Sequence, residues 1–170
     1  MSEIFAFLDQ HGIPYEKYNH PAVFTCEEAE RLCPSMPGTA TKNLLLRNRK
    51  GTQNFLVVVG YDTAADLKGL KDLLNVDAST PLSTGKLSFA SPERLKSLLG
   101  VEPGSVTLLG LVNDTEGNVE VIVDEGIWNA KALQCHPLVN TSTLVIPHDG
   151  IVRFLEVTHH TPRVLRVPAR

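Results

Sequence analysis

Long apolar runs are missing from this chain. They reach only five residues, as at Phe55–Val59, far short of the roughly 20 that a membrane-spanning helix needs, so no membrane contact is expected. Cysteine is scarce as well. The three thiols (Cys26, Cys33 and Cys135) cannot all pair with one another, and no zinc-binding spacing is present. The simplest reading is reduced thiols in a cytoplasmic protein. A basic excess is also absent: 16 Lys and Arg stand against 19 Asp and Glu, a net charge of −3, which argues against a non-specific nucleic-acid coat protein. Met1–Asp9 has neither a basic start nor an apolar signal core, so no export or import signal is expected. What is present is ordinary globular material, 170 residues with 42% hydrophobic and 21% charged. One domain spanning residues 1–170 is the expectation.

The charge is unevenly spread. Between Lys42 and Lys96 nine Lys and Arg face five acids, a local +4, whereas the remainder carries −7. A mildly basic face on an acidic body suits one specific polyanionic ligand, although a solvated face with chance asymmetry would look the same.

Hydrophobic spacing and turn residues predict the elements. Ile4, Phe5 and Leu8 mark a first helix, stopped at His11-Gly12, and Ile13–Tyr18 follows as an extended piece. Thr25 with Glu28 has the form of a capping box, opening a helix that ends near Cys33-Pro34 and places Cys26 and Cys33 on one inward face. Lys42–Arg47 and Asn54–Val59 form a hairpin around Lys50-Gly51. Leu67, Leu70, Leu73 and Leu74 have helical spacing, and Lys86–Phe89 is a short strand. Ser91, Pro92 and Gly100 are the N-cap, first-turn proline and C-cap of another helix. Strands are expected at Val106–Val112, Val119–Val123, Thr143–Ile146 and Arg163–Val167, with a helix over Asp149–Val157. Tight connections favour antiparallel pairing over repeated βαβ units, giving an α+β fold with a mixed, mostly antiparallel, barrel-like sheet core and short surrounding helices.

Common catalytic signatures are absent: no phosphate loop, dinucleotide fingerprint, nucleophile elbow or zinc helix. His159-His160 on a strand would point apart, which argues against a metal site. Cys135-His136 is sterically awkward as a nucleophile and base, because neighbours in an extended segment face opposite ways. Three segments remain. In Thr41-Lys42-Asn43-Leu44-Leu45-Leu46, a lysine and an amide open a strongly apolar strand. Gly104–Asp114 is a Pro-Gly turn feeding an apolar stretch that ends in a second turn. His136–Thr143 is a polar loop leading into an apolar strand. Taken singly, they are a strand-end charge, an ordinary strand and a capped turn.

In this order and spacing they resemble the YbaK/ProX family of aminoacyl-tRNA editing domains, and within it the free-standing alanyl-tRNA(Pro) deacylases related to the insertion domain of bacterial prolyl-tRNA synthetase. The resemblance rests on Lys42-Asn43-Leu44-Leu45-Leu46, Asp66-Leu67-Lys68, Leu87-Ser88-Phe89, Gly104-Ser105-Val106-Thr107, Gly110-Leu111-Val112-Asn113-Asp114, and His136-Pro137-Leu138 with Asn140. It implies hydrolysis of the ester joining a mischarged amino acid to the terminal adenosine of tRNA, with no cofactor, no metal and no protein nucleophile. The ammonium group of an α-aminoacyl ester activates the ester, so positioning a water and stabilising the oxyanion can suffice. By resemblance, Lys42 matches the lysine that holds the terminal phosphate or backbone, and Asn43 the neighbouring residue that fixes the terminal nucleotide. Gly104, Ser105, Val106, Thr107 and Leu108 match the Gly-x-x-x-Pro loop whose backbone holds the aminoacyl moiety. His136 matches the histidine that limits side-chain size. Leu108 replaces the loop proline, which bears on loop rigidity and on the amino acid accepted.

Residues 42, 104–108 and 136 are thus expected around one pocket. The implied partner is the acceptor end of tRNA(Pro); delivery by prolyl-tRNA synthetase or by an elongation factor is left open. Cysteinyl-tRNA(Pro) or another small mischarged ester is the alternative within the class. A non-catalytic tRNA- or synthetase-binding module is the alternative outside it.

Overall fold

The computed structural model describes residues 2–22, 27–28, 31, 36–48, 51–76 and 87–170. Two sheets organise them. The larger has five strands in the order β4-β2-β3-β5-β8: β2 (Thr41–Arg47), β3 (Asn54–Gly60), β4 (Ser88–Phe89), β5 (Val119–Asp124) and β8 (Arg163–Leu165). The smaller has three in the order β1-β7-β6: β1 (Glu16–Asn19), β6 (Ala132–Cys135) and β7 (Ser142–Pro147). Four of the six strand pairings are antiparallel; β3–β5 and β5–β8 are parallel. A parallel bridge between Thr39 and Leu133 joins the lead-in of β2 to β6, stitching the two sheets at one corner.

The apolar run of β3 is explained by its place. It is central, and Phe55 to Val59 are all buried because both faces of the strand are covered. On one face, Leu45, Leu56, Val58 and Val121 meet Leu133 and Leu144 of the smaller sheet. The same core takes Ile4 and Leu8 of α1 (Ser2–Gln10), Leu95 and Leu99 of α3 (Pro92–Leu99), and Phe154 of α5 (His148–Val157). On the other face, Leu46, Phe55, Val57 and Val59 pack with Leu70 and Leu74 of α2 (Leu67–Val76). Leu73 of the same helix points outward, 36% exposed. Within the described residues no helix is long and apolar enough to cross a membrane.

The caps of α3 are those expected: the Ser91 hydroxyl accepts from the Arg94 amide at 3.2 Å and Gly100 is left-handed. Four expectations need correction. Val106–Val112 is not a strand; Leu108–Asn113 forms a 3₁₀ helix, capped by Thr107, whose hydroxyl accepts from Leu109 N at 3.2 Å. Its apolar residues never alternate, and Leu108, Leu109, Gly110 and Leu111 are all buried, as a turn packed inside a core requires. Two short elements, α4 (Glu125–Trp128) and β6, carry no strong periodic signal, and the sequence pattern does not predict them. The last strand stops at Leu165. His159 and His160 lie in the turn after α5 rather than on a strand, with His159 exposed and His160 buried. The Thr25 capping box, the Cys26/Cys33 face, Lys50 of the hairpin turn and Lys86 lie outside the described residues.

Candidate functional site

Lys42 and Asn43 open β2 on neighbouring positions, so strand alternation sends them to opposite faces. Lys42 pairs in register with Val59, and Asn43 with Val58. Lys42 therefore belongs to the α2 face with Leu44 and Leu46, and Asn43 to the face of Leu45 and the smaller sheet. The half-buried Lys42 has no ion pair or hydrogen bond on its ammonium group among the described residues. The Asn43 side chain donates weakly from Nδ2 to Thr41 Oγ1 at 3.5 Å, and its Oδ1 is buried without a hydrogen-bond partner. An unpaired buried carbonyl costs about 1–3 kcal/mol, so this oxygen is an unsatisfied acceptor.

The frame around Asn43 comes from β6. Thr41 Oγ1 donates to the Gln134 carbonyl at 2.8 Å, and the Gln134 amide reaches the carbonyls of Pro37 and Gly38, each at 3.3 Å. Two residues later the strand has ended at His136. Its Nδ1 lies 3.3 Å from the Ser142 carbonyl. A carbonyl can only accept, so Nδ1 carries the proton and Nε2 presents a lone pair. Burial, the largest influence, holds His136 below its usual range; the Ser142 carbonyl acts in the opposite sense, and His20 lowers it further. His136 is thus uncharged at neutral pH. Cys135 points the other way into the core, and burial pushes its thiol up to about 12, which removes it as a nucleophile.

The loop Gly104–Leu108 starts with a turn in which Ser105 N donates to the Glu102 carbonyl at 3.0 Å, with Gly104 at φ 90°. Pro103 and Gly104 sit at the central positions that a type II turn favours. Thr107 is fully buried, and Leu108 is buried at the first position of the 3₁₀ helix. A proline fits a first helical position equally well, so Leu108 keeps the geometry and anchors it by apolar burial instead. The loop enters the same core as Leu45, Leu133 and Cys135. No hydrogen bond joins it to Asn43 or His136 among the described residues. The loop packs into the core between the two sheets, Asn43 belongs to the face of β2 turned toward that core, and His136 follows β6 at the start of β7. Lys42 lies on the other side of β2, so the expected single pocket around residues 42, 104–108 and 136 does not include Lys42 on the Asn43 face.

A model of the aminoacyl-tRNA editing domain matches residues 20–154. The chain belongs to the aminoacyl-tRNA editing domain family. Prolyl-tRNA editing protein ProX of Acetoanaerobium sticklandii is 32% identical over 164 residues, covering 96% of this chain and 95% of its own. Prolyl-tRNA synthetase associated domain-containing protein 1 of Danio rerio is 34% identical over 165 residues, covering 96% of this chain and 85% of its own. A crystal structure described as a candidate trans-editing enzyme for prolyl-tRNA synthetase superposes with a TM-score of 0.68 at 17% identity, over 98% of this chain and 96% of that one. That likeness concerns the fold. As a member of the editing-domain family the chain is an aminoacyl-tRNA hydrolase. Three polar residues beside the candidate site residues carry no sequence signal marking them as such: His20, Thr41 and Gln134. Thr41 adjoins the Lys-Asn pair and His20 precedes a proline, but neither signal exceeds that of an ordinary turn or strand start.

Proposed function

We propose that this chain is a cytoplasmic trans-editing deacylase that releases alanine from alanyl-tRNA(Pro), its 170 residues acting as one editing domain. The observations that carry the reading are an unsatisfied acceptor, Asn43 Oδ1, and an uncharged His136 held through Nδ1, together with a thiol too buried to react. Such a site can receive the ammonium and hydroxyl donors of an aminoacyl-adenosine, and it offers no nucleophile of its own. The end-to-end likeness to a prolyl-tRNA editing protein supports tRNA(Pro) as the carrier.

In this reading the two sides of β2 divide the substrate. Lys42 takes the terminal phosphate or backbone, a task for a mobile point charge. Asn43 and His136 hold the terminal nucleotide and the amino-acid end, and backbone groups of Gly104–Leu108 hold the aminoacyl moiety. Water, oriented by the substrate's own ribose hydroxyl, adds to the ester carbonyl. The carbon–oxygen bond to the ribose then breaks, leaving free amino acid and the tRNA hydroxyl. His136 limits pocket volume. A synthetase shaped for proline cannot strongly reject a smaller apolar residue, because a missing methylene is worth only about 1–3 kcal/mol, so a second sieve of smaller volume restores fidelity.

The test is a deacylation panel with Ala, Ser, Cys and Pro esters on tRNA(Pro) and Ala on tRNA(Ala). The proposal expects release of alanine from tRNA(Pro) with the prolyl ester intact. Preferred release of cysteine or serine would move the substrate, and salt-sensitive tRNA binding without release of any amino acid would make the chain a binding module. Loss of one charge-assisted contact in Lys42→Ala should cost about 10–100-fold in kcat/KM, mostly through KM. A wild-type rate in that variant would remove Lys42 as the anchor.

A further inference from the structure

We infer that His20 is a positioning residue for His136: it fixes the start of β7, the segment that aims the His136 imidazole at the aminoacyl end of the substrate. The inference rests on the editing function proposed above. Topology supplies the first argument. β1 and β6 both run antiparallel to β7, on its two sides, with Asn19 paired to Ser142 and Cys135 to Leu144. Both neighbours therefore leave the sheet at the same end, and the next residue of each is a histidine. His20 and His136 flank the first residues of β7, with ring centroids 6.4 Å apart and edge to face.

The hydrogen bonds supply the second. His20 is 8% exposed, and its backbone N–H donates to the Thr141 carbonyl at 3.0 Å. Its Nδ1 is 2.8 Å from the Pro21 carbonyl, an obligatory acceptor, so Nδ1 donates. Its Nε2 is 2.8 Å from the hydroxyl of Thr143, which is itself buried. His20 thereby grips residues 141 and 143, and the carbonyl between them, that of Ser142, takes the His136 Nδ1 proton. A shift of this segment would misdirect the ring and free Nδ1 to exchange its proton with Nε2, which would turn the open acceptor into a donor.

Charge supplies the third. Among the described residues the titratable neighbours of His136 are His20, following β1, and the uncharged thiol of Cys135 on β6; the β7 residues Ser142 and Thr143 bring no charge. A second imidazole at this distance discourages protonation of His136. An uncharged ring does not repel the ammonium group that every aminoacyl ester carries.

The experiment compares full-length wild type with His20→Phe, His20→Gln and Thr143→Val. Nitrogen NMR of the imidazoles should show His136 as the Nδ1–H form in the wild type. In His20→Phe and Thr143→Val that form should lose its dominance. Deacylation of alanyl-tRNA(Pro) should drop about tenfold or more in kcat with little change in KM, the size expected for a displaced site group. His20→Gln, whose amide can still meet Thr143, should recover part of the loss. Removing the neighbouring imidazole should also move the acid limb of the rate profile to higher pH in His20→Phe. If His20→Phe does not fold, Thr143→Val, which deletes one hydroxyl at constant shape, decides the matter. An unchanged His136 tautomer in the folded variants overturns the inference, whatever happens to kcat. An altered tautomer in a protein whose wild type releases no amino acid upholds the positioning and overturns the editing function.

Discussion

Asn43 and His136 show how much a single side chain can hold in reserve. The buried Oδ1 of Asn43 has no partner, so the fold carries an unmet hydrogen bond, which the proposed function assigns to the substrate. Asn43→Leu should therefore raise stability by roughly 1 kcal/mol, seen as a higher unfolding midpoint, while deacylation falls at least about tenfold. A variant that loses both stability and activity would show the amide to be a structural group. His136 predicts a dependence on pH. Its folded value lies below the ordinary 6.5, so the unfolded chain takes the proton first. Its contribution to stability is intact above that ordinary value and is lost as pH falls through the lower, folded one. Urea titrations at about pH 7.5 and about pH 5.5 should show His136→Phe losing less stability on acidification than wild type.

Among the elements, the 3₁₀ helix and the turn at its end carry the sharpest packing. A Cβ on Gly110 would stand 2.9 Å from Leu99 Cβ and 3.2 Å from the Leu99 carbonyl, so Gly110→Ala must push α3 away. A loss of about 1–3 kcal/mol is expected from overpacking, measurable by denaturant unfolding. Just beyond, Asp114 accepts from the amides of Asn118 and Val119 at 2.9 Å each and meets His160 Nε2 at 2.9 Å, with both side chains buried. It fixes the entry to β5 and the turn after α5 together, a structural duty that explains the pairing of a polar motif with an apolar core. Legibility also divides at this scale. β3 is evident because a central strand buried on both faces writes a continuous apolar run. α3 is evident because its caps are local. The 3₁₀ helix is not, because Val106–Val112 is apolar at nearly every position and its period is set by tertiary packing. His20 could not be found from sequence because its partner Thr143 is 123 positions away.

For the whole molecule, the two-sided sheet is what relates Lys42 to the rest. The sequence places the lysine beside Asn43; only the alternation of β2 shows that the pair is split between faces. The proposed function makes the basic stretch from Lys42 to Lys96 the electrostatic landing for the acceptor end on a chain of net −3. Raising salt should therefore increase KM for aminoacyl-tRNA while leaving kcat nearly constant, and a salt-independent KM would deny that face to the tRNA. The Thr39–Leu133 bridge closes one corner of the two sheets, and the cores on either side of β3 hold the remainder.

Cys135, sealed between those sheets, makes the molecule its own reporter. A soluble alkylating reagent cannot reach this sulfur until β6 parts from the inner layer. The rate at which it is tagged under native conditions therefore clocks the opening of the interior without any introduced probe. Substrate bound as the proposed function has it, at Asn43 and His136, should slow that clock.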